Sequence, residues 1–168
     1  MNTQAKLREK MRITVASDHA GFELKQVLAD FLRQKGHTVT DAGTNSTAPV
    51  DYPDFAEALA LSILHGESER GILICGSGVG ASVAANKIPG VRAGLCHDSY
   101  SAHQGVEHDD INVLVLGARV IGDELAKDLC LEFLNARFTG EERHSRRLNK
   151  IRSIEQRYCP QPALKENE

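Results

Sequence analysis

Apolar residues along the chain follow two alternating patterns: short continuous runs, and longer segments in which they recur at helical spacing. The continuous runs are typical of buried strands, and the spaced segments of helices with one buried face. The predicted strands cover residues 11–17, 37–43, 70–76, 91–97 and 111–118. The predicted helices cover residues 21–36, 54–66, 80–87, 98–108, 122–138 and 141–158. Because this alternation indicates parallel βαβ units, the sequence predicts one doubly wound, Rossmann-like α/β domain with three layers and a five-stranded parallel sheet.

The length of 168 residues is that of one ordinary domain. We expect this domain to cover residues 11–158, with a flexible N-terminal extension over residues 1–10 and a flexible C-terminal tail over residues 159–168. The first ten residues are polar and do not resemble a secretory signal, and no apolar run approaches the ~18 residues of a membrane span. The sequence therefore predicts a cytoplasmic protein that does not enter a membrane.

Composition and charge narrow the classes of partner. Hydrophobic residues make up 41% of the chain, and the net charge of −3 argues against a nucleic-acid-binding protein. The stretch from Arg137 to Arg157 is locally basic, with seven Lys or Arg residues against three Glu, and it suits a small anion. The four cysteines form no CxxC pair, so we expect neither a zinc site nor a disulfide framework. Cys96 and Cys130 lie in apolar runs typical of the core.

A glycine-rich loop follows the third predicted strand, and a cysteine stands at its start. The stretch reads CGSGVG over residues 75–80. A glycine-rich turn between a strand and a helix presents successive amides that bind anions, at the sheet edge where ligands of such folds bind. A dinucleotide site is disfavoured, because that fingerprint is GxGxxG after the first strand. A turn of purely structural glycines stays open as the alternative.

The thiol of Cys75 gives this loop a candidate reactive group, because the start of a helix favours the thiolate form of a cysteine. A thiolate here is placed to act as a nucleophile, or as a base whose anionic product the loop amides stabilise. The alternative is an inert cysteine buried in the core. Ser77 is either a hydrogen-bond partner of the thiolate or of a substrate, or an ordinary turn serine.

Charged residues at other element ends add candidates for ligand binding. Asp18 and His19 follow the first strand, where they either contact a ligand or form a surface turn with Asp18 as a helix cap. Arg143 and Arg147 are four positions apart on the last predicted helix, so they share one face. Such a pair either binds phosphate or belongs to a solvated charged face.

His108 precedes the fifth predicted strand and is a candidate proton shuttle near neutral pH. A metal site that combines it with His103, Asp109 and Asp110 matches no established ligand spacing. We therefore expect no metal ion.

Five segments carry the most specific motifs, and they read ASDHAGFELK, DYPDFA, GILICGSGVGASVAANKIPGVRA, NVLVLGARVIG and RHSRRLNKIRSIE. Together they closely resemble the ribose-5-phosphate isomerase B family, which also includes galactose- and allose-6-phosphate isomerases. The resemblance runs from about Met11 to Arg157. It implies a metal-free and cofactor-free aldose–ketose isomerase that interconverts D-ribose 5-phosphate and D-ribulose 5-phosphate through an enediolate.

The resemblance also implies residue roles. Cys75 matches the family's catalytic base, Ser77 the loop hydroxyl beside it, and His108 the histidine that helps to open the sugar ring. Members with a glutamate base carry it after the last loop glycine, where this chain has Ala81, so the chain resembles the cysteine type. The residues that match substrate or phosphate ligands are Asp18, His19, Tyr52, Gly76, Gly78, Gly80, Asp109, Arg119, Arg143 and Arg147. Asp109 departs from the family, whose members commonly carry asparagine there.

The partners that the resemblance implies are a small sugar phosphate and a second copy of the chain. The family forms homodimers with shared active sites, with a tetramer as the alternative, and binds neither nucleic acid nor membrane. Two other functions stay open. One is an isomerase of another sugar phosphate, such as an allose or galactose 6-phosphate or a tetrulose phosphate. The other, less favoured, is a non-catalytic phosphosugar-binding module on the same fold.

Overall fold

The computed structural model describes residues 10–159, so the predicted flexible extension and tail fall almost wholly outside the described residues. The strands are β1 (Arg12–Ser17), β2 (Thr38–Asp41), β3 (Arg70–Cys75), β4 (Ala93–Leu95) and β5 (Val113–Gly117). The helices are α1 (Phe22–Gln34), α2 (Tyr52–Leu64), α3 (Val79–Ala85), α4 (Ser99–Asp109), α5 (Asp123–Asn135) and α6 (Glu142–Tyr158).

The strands lie parallel in one five-stranded sheet with the order β2-β1-β3-β5-β4, which confirms the predicted fold class. The register pairs Ser17 with Ile74 and Cys75 with Gly117. The carboxyl ends of the three central strands therefore meet at one edge of the sheet. The chain runs outward from β1 to β2 and then crosses back to β3, and ligands of this class of fold bind at such a reversal.

The two faces of the sheet bury separate apolar clusters, because successive strand residues point to opposite faces. On one face, Ile72 and Ile74 of β3 pack with α1, α4 and α5. On the other face, Leu73 and Cys75 pack with α2 and α3. Helices cover both faces, which explains why the strands read as continuous apolar runs. No helix among residues 10–159 is long and apolar enough to span a membrane.

The observed bounds of β4 and α2 differ from the prediction for local physical reasons. The fourth strand, predicted over residues 91–97, is reduced to β4 at the sheet edge. There the Asn86 side chain donates to the carbonyl of Ala93 and accepts from its amide, in place of a neighbouring strand. Helix α2 begins at Tyr52 rather than residue 54, because proline is tolerated in a first helical turn and Pro53 occupies it.

Helix α5 also ends earlier than predicted, at Asn135 instead of residue 138. The buried side chain of Arg70 meets the end of this helix and donates hydrogen bonds to the carbonyls of Phe133 and Ala136. Burial lowers the pKa of Arg70 to about 10, so the guanidinium is still charged at neutral pH. This cation stabilises the negative end of the helix dipole and marks where the helix stops.

Candidate active site

A cleft opens at the carboxyl edge of the sheet, at the ends of β1, β3 and β5. Its volume is about 390 Å³, which is within the range of small-molecule sites. The residues that line it are Asp18, His19, Ala20, Tyr52, Cys75, Gly76, Ser77, Gly80, Arg119 and Val120. All of these except Ala20 and Val120 are residues that the sequence predicts for the site. The strand ends, the glycine loop and the start of α2 thus converge on one space.

Cys75 is the last residue of β3, and it is both buried and part of the cleft lining. It is 4% exposed and packs against the apolar cluster under α2 and α3. The amide of Gly78 donates a hydrogen bond to Sγ over 3.1 Å. Cys75 is therefore shielded from bulk water while it still lines the space where a ligand fits.

The other buried thiols differ from Cys75 in their surroundings. Cys96 and Cys130 lie in the apolar cluster on the opposite face of the sheet, which confirms that they belong to the core. Burial raises the pKa of Cys96 to about 11 and that of Cys130 to about 12, so both stay protonated at neutral pH. Neither is suited to act as a base.

The glycine loop requires glycine at two positions for different reasons. Gly78 has a φ of +83°, and an added Cβ would lie 2.4 Å from Cδ1 of Leu95. Gly80 lies against the ring of Tyr52, where an added Cβ would be 2.7 Å from Cζ. The first glycine sets the turn of the loop. The second lets an aromatic ring form one side of the cleft.

Two amides of this loop are engaged within the loop itself. The Gly78 amide donates to Cys75, and the Val79 amide donates to Oγ of Ser77 over 3.3 Å. Ser77 thus behaves locally as a turn serine, although its exposed side chain also lines the cleft. An anion bound between Gly76 and Gly80 would therefore accept hydrogen bonds from the other backbone amides of this loop.

Asp18 and His19 form a side of the cleft next to the loop. Asp18 is only 7% exposed, and its Oδ1 accepts the amide of Gly21 over 3.0 Å. This bond closes the turn before α1, whose N-cap residue is Gly21, so Asp18 is neither a surface residue nor the helix cap. The Val50 amide donates to Nδ1 of His19 over 3.2 Å. The Val50 carbonyl also lies 3.3 Å from Nδ1, so Val50 engages this nitrogen in either tautomer and Nε2 is the nitrogen left to contact a ligand.

The residues after β5 form the opposite side of the cleft. The Arg119 amide donates to the carbonyl of Gly76 over 2.9 Å, which ties this segment to the glycine loop. The Arg119 side chain is exposed and runs past Gly76. Ala20 and Val120 also line the cleft, and sequence reasoning does not find them because apolar side chains carry no chemical signal. Their adjacency to His19 and Arg119 is the signal that points to them.

His108, Arg143 and Arg147 lie together, but they do not line this cleft. The His108 ring stacks on the His144 ring where α4 meets α6, with 4.0 Å between the ring centroids. Arg143 and Arg147 flank His144 on α6, and both are exposed. The side-chain amide of Gln104 donates to Nδ1 of His108 over 2.6 Å, so the neutral ring carries its proton on Nε2. We call these three predicted residues the α4–α6 cluster.

His144 packs against His108 in the contact between α4 and α6. It is 1% exposed, and burial, followed by the neighbouring His108, lowers its pKa from the ordinary value. The hydroxyl of Thr139 donates to the carbonyl of Glu107 over 3.2 Å, so Thr139 Oγ1 accepts the Nδ1 proton of His144 over 2.9 Å. The ring under His108 is therefore neutral and held in one orientation.

Asp109 directly follows His108 at the end of α4, but it lines neither the cleft nor the contact between His108 and His144. It lines a separate cavity of about 380 Å³ together with residues that follow α3, Ala93 of β4 and residues of α6. The residues that a metal site would combine with Asp109 have other partners. His103 pairs with Glu132 over 2.9 Å, and Asp110 pairs with Arg92 over 2.7 Å. Across residues 10–159 no group of three or more His, Cys, Asp or Glu side chains is arranged to hold a metal ion.

The fold and the cleft define a class of protein: a parallel α/β enzyme whose small-molecule site holds a thiol beside a glycine loop at the carboxyl edge of the sheet. Residues 13–151 match the profile of the Ribose/Galactose Isomerase family, and the chain belongs to this family. It is 46% identical over 146 residues to ribose-5-phosphate isomerase B of Escherichia coli (strain K12), covering 87% of this chain and 97% of that protein.

Two further relatives of this chain are a second named isomerase and a solved structure. The D-erythrulose-4-phosphate isomerase of Pectobacterium atrosepticum is 46% identical over 132 residues, covering 77% of this chain and 86% of that protein. A solved structure of Clostridium thermocellum ribose-5-phosphate isomerase B superposes with a TM-score of 0.86 at 49% identity. That superposition covers 88% of this chain and 99% of the other chain. The protein is therefore an isomerase.

Proposed function

We propose that this isomerase interconverts D-ribose 5-phosphate and D-ribulose 5-phosphate, with Cys75 as its base. The observation that carries the proposal is that Cys75 lines the cleft and that its sulfur accepts the Gly78 amide over 3.1 Å. Relatives whose names state this activity match the chain over most of its length. Because a charged sugar phosphate does not cross the membrane core freely, we expect the enzyme in the cytoplasm.

The chemistry moves two protons and leaves all electrons within the substrate. The Cys75 thiolate takes the proton from C2 of the open-chain aldose, and the C–H electron pair forms the C1–C2 double bond. The carbonyl oxygen O1 becomes the enediolate oxygen, which loop amides and Arg119 stabilise. The thiol then returns the proton to C1, while a proton passes from O2 to O1 and O2 becomes the ketone oxygen. No step requires an external oxidant or reductant.

A complete site requires a second copy of the chain. The cleft holds the base and His19, whereas the α4–α6 cluster lies elsewhere on the same chain. We infer a homodimer in which this cluster of one copy completes the cleft of the other, with a tetramer as an assembly of two such dimers. His108 then assists opening of the furanose ring, and Arg143 and Arg147 join His19 on the phosphate.

A tetrulose phosphate is the second candidate substrate. The Pectobacterium relative named for D-erythrulose 4-phosphate is as similar in sequence as the Escherichia coli one, at 46% identity each. Values of kcat/KM over four-, five- and six-carbon sugar phosphates decide between these substrates.

Solvent exchange provides the test of the proposed base. Wild-type protein incubated with ribose 5-phosphate in D₂O should incorporate deuterium at the reacting carbon and form ribulose 5-phosphate. Cys75→Ala should lower kcat at least ~100-fold, the lower range of general-base catalysis. Cys130→Ala removes a buried thiol on the other face of the sheet and should keep normal turnover. Near-normal turnover in Cys75→Ala would refute the base, and a wild type that binds the sugar without exchange would be a binding module.

A further inference from the structure

The side chain of Lys25 on α1 is fully buried, and lysine side chains are rarely fully buried unless they have a partner. Its Nζ forms an ion pair with Asp41, the last residue of β2, and lies 5.5 Å from the centroid of the Phe22 ring. Neither charged residue lines the cleft. A buried ion pair often contributes little more to stability than apolar residues of the same size would. The contacts of Asp41 suggest what else the pair does.

Asp41 connects the ion pair to the end of β1. Its second oxygen, Oδ1, accepts the amide of Gly43 over 2.9 Å. The Gly43 carbonyl accepts the amide of Ser17 over 2.6 Å, and the Ser17 carbonyl accepts the amide of Thr44 over 2.7 Å. These two bonds hold the segment after β2 against the last residue of β1, directly before Asp18.

The same segment reaches the cleft again at its other end. Val50 donates its amide to Nδ1 of His19 over 3.2 Å, which orients the ring. Near its start, Gly43 adopts a φ of +103°, and an added Cβ would lie 2.7 Å from Cε1 of Phe55 on α2. The segment over residues 42–50 is thus packed against α2 and bonded to β1 and to His19.

We propose that Lys25 and Asp41 are positioning residues, which anchor the segment over residues 42–50 so that His19 presents Nε2 to the substrate. The role of His19 as a phosphate ligand rests on the proposed function, but the anchoring of the segment does not. When the anchor is removed, the Asp18–His19 side of the cleft loses its support while Cys75 remains fixed by β3. Substrate binding should therefore weaken more than proton transfer.

Lys25→Met tests the proposal against a matched control on the same helix, Arg33→Met, which breaks the exposed pair with Asp30. Two measurements are compared: NMR-detected hydrogen exchange at the amides of Ser17 and Thr44, and the steady-state constants for ribose 5-phosphate. In Lys25→Met we expect exchange at both amides to rise at least ~10-fold, as local opening becomes easier. We also expect KM to rise roughly 5- to 10-fold with kcat within about twofold, and Arg33→Met should change neither.

The double variant Lys25→Met/Asp41→Leu separates positioning from stability, and it carries the test if Lys25→Met alone does not fold. It leaves neither an unpaired, partly buried carboxylate nor an acceptor for the Gly43 amide. It should therefore regain thermal stability, while its KM should stay raised because the segment remains unanchored. A double variant with wild-type KM and wild-type amide exchange would overturn the proposal. If the wild type does not isomerise ribose 5-phosphate, the proposed function fails, and the amide exchange alone still decides whether the pair anchors the segment.

Discussion

Gly80→Ala should impair catalysis with little change in protein stability. The substitution favours the helical conformation of α3, whereas its Cβ displaces the Tyr52 ring that lines the cleft. Alanine is favoured over glycine inside a helix by up to ~1 kcal/mol. The added Cβ would lie 2.7 Å from Cζ of Tyr52, whereas ordinary contact begins at 3.4 Å, so the ring has to move by several tenths of an ångström. Tyr52 is 39% exposed, which leaves its ring room to turn. We expect a melting temperature within about 4 °C of wild type, the shift for ~1 kcal/mol in a domain of this size.

The displaced ring belongs to the cleft, so the loss appears in kcat/KM. A misplacement of ~1 Å can cost up to 100-fold, and for this smaller shift we expect a loss of roughly 10-fold, or about 1.4 kcal/mol. The assay compares kcat/KM for ribose 5-phosphate in wild type, Gly80→Ala, Tyr52→Ala and the double variant. Gly122→Ala is the matched control, since a Cβ there meets nothing within 4 Å. If the ring transmits the effect, the double variant matches Tyr52→Ala. Independent, additive losses would refute this reasoning.

Three further outcomes test the assembly, the loop and the α4–α6 contact. Mixing Cys75→Ala with His108→Ala under subunit exchange should restore about a quarter of wild-type activity. About half of randomly formed dimers contain one subunit of each variant, and each of these has one intact site. Subunit exchange without recovered activity would contradict the shared site. Gly78→Ala forces an alanine to a φ of +83° and should lower the melting temperature by roughly 5 °C, and an unchanged melting curve contradicts the strain. Because the pKa of His144 is lowered in the folded protein, the unfolded chain binds a proton first as the pH falls, so the free energy of unfolding should decrease below pH 6.5. His144→Gln should reduce this dependence of the unfolding free energy on pH between pH 5 and 7. An equal dependence in wild type and variant would contradict the role of His144.

The fold is largely predictable from the sequence because strands buried on both faces leave an unmistakable pattern. The runs that became β1, β3 and β5 are continuous and apolar, and the segments between them have helical spacing. The fourth strand is the exception, since its apolar letters extend over residues 91–97 while Asn86 replaces the pairing at the edge. The order of the strands is not encoded in any local pattern, because it depends on which faces the helices cover.

The site is predictable where chemistry and strand ends coincide. Asp18, His19, Cys75 and Arg119 lie at or just after strand ends, and the structure brings them into one cleft. Tyr52 enters only through the family resemblance, since composition assigns it to a loop. The support that Lys25 gives to the cleft is invisible in sequence, because it runs through backbone bonds between distant segments.

Charge gives a physical reason for the proposed division of the site between two copies of the chain. A sugar phosphate brings a charge of about −1.5 to −2, and the cleft already contains the buried carboxylate of Asp18 and a sulfur that must ionise to act as a base. Arg119 is the arginine that the same chain contributes to the cleft lining. One guanidinium does not balance these negative charges, and further cations at the same edge would pair with Asp18 or the thiolate in the empty enzyme. In the proposed homodimer, cations placed on α6 avoid that competition within the chain, and they reach the phosphate when a second copy closes the cleft.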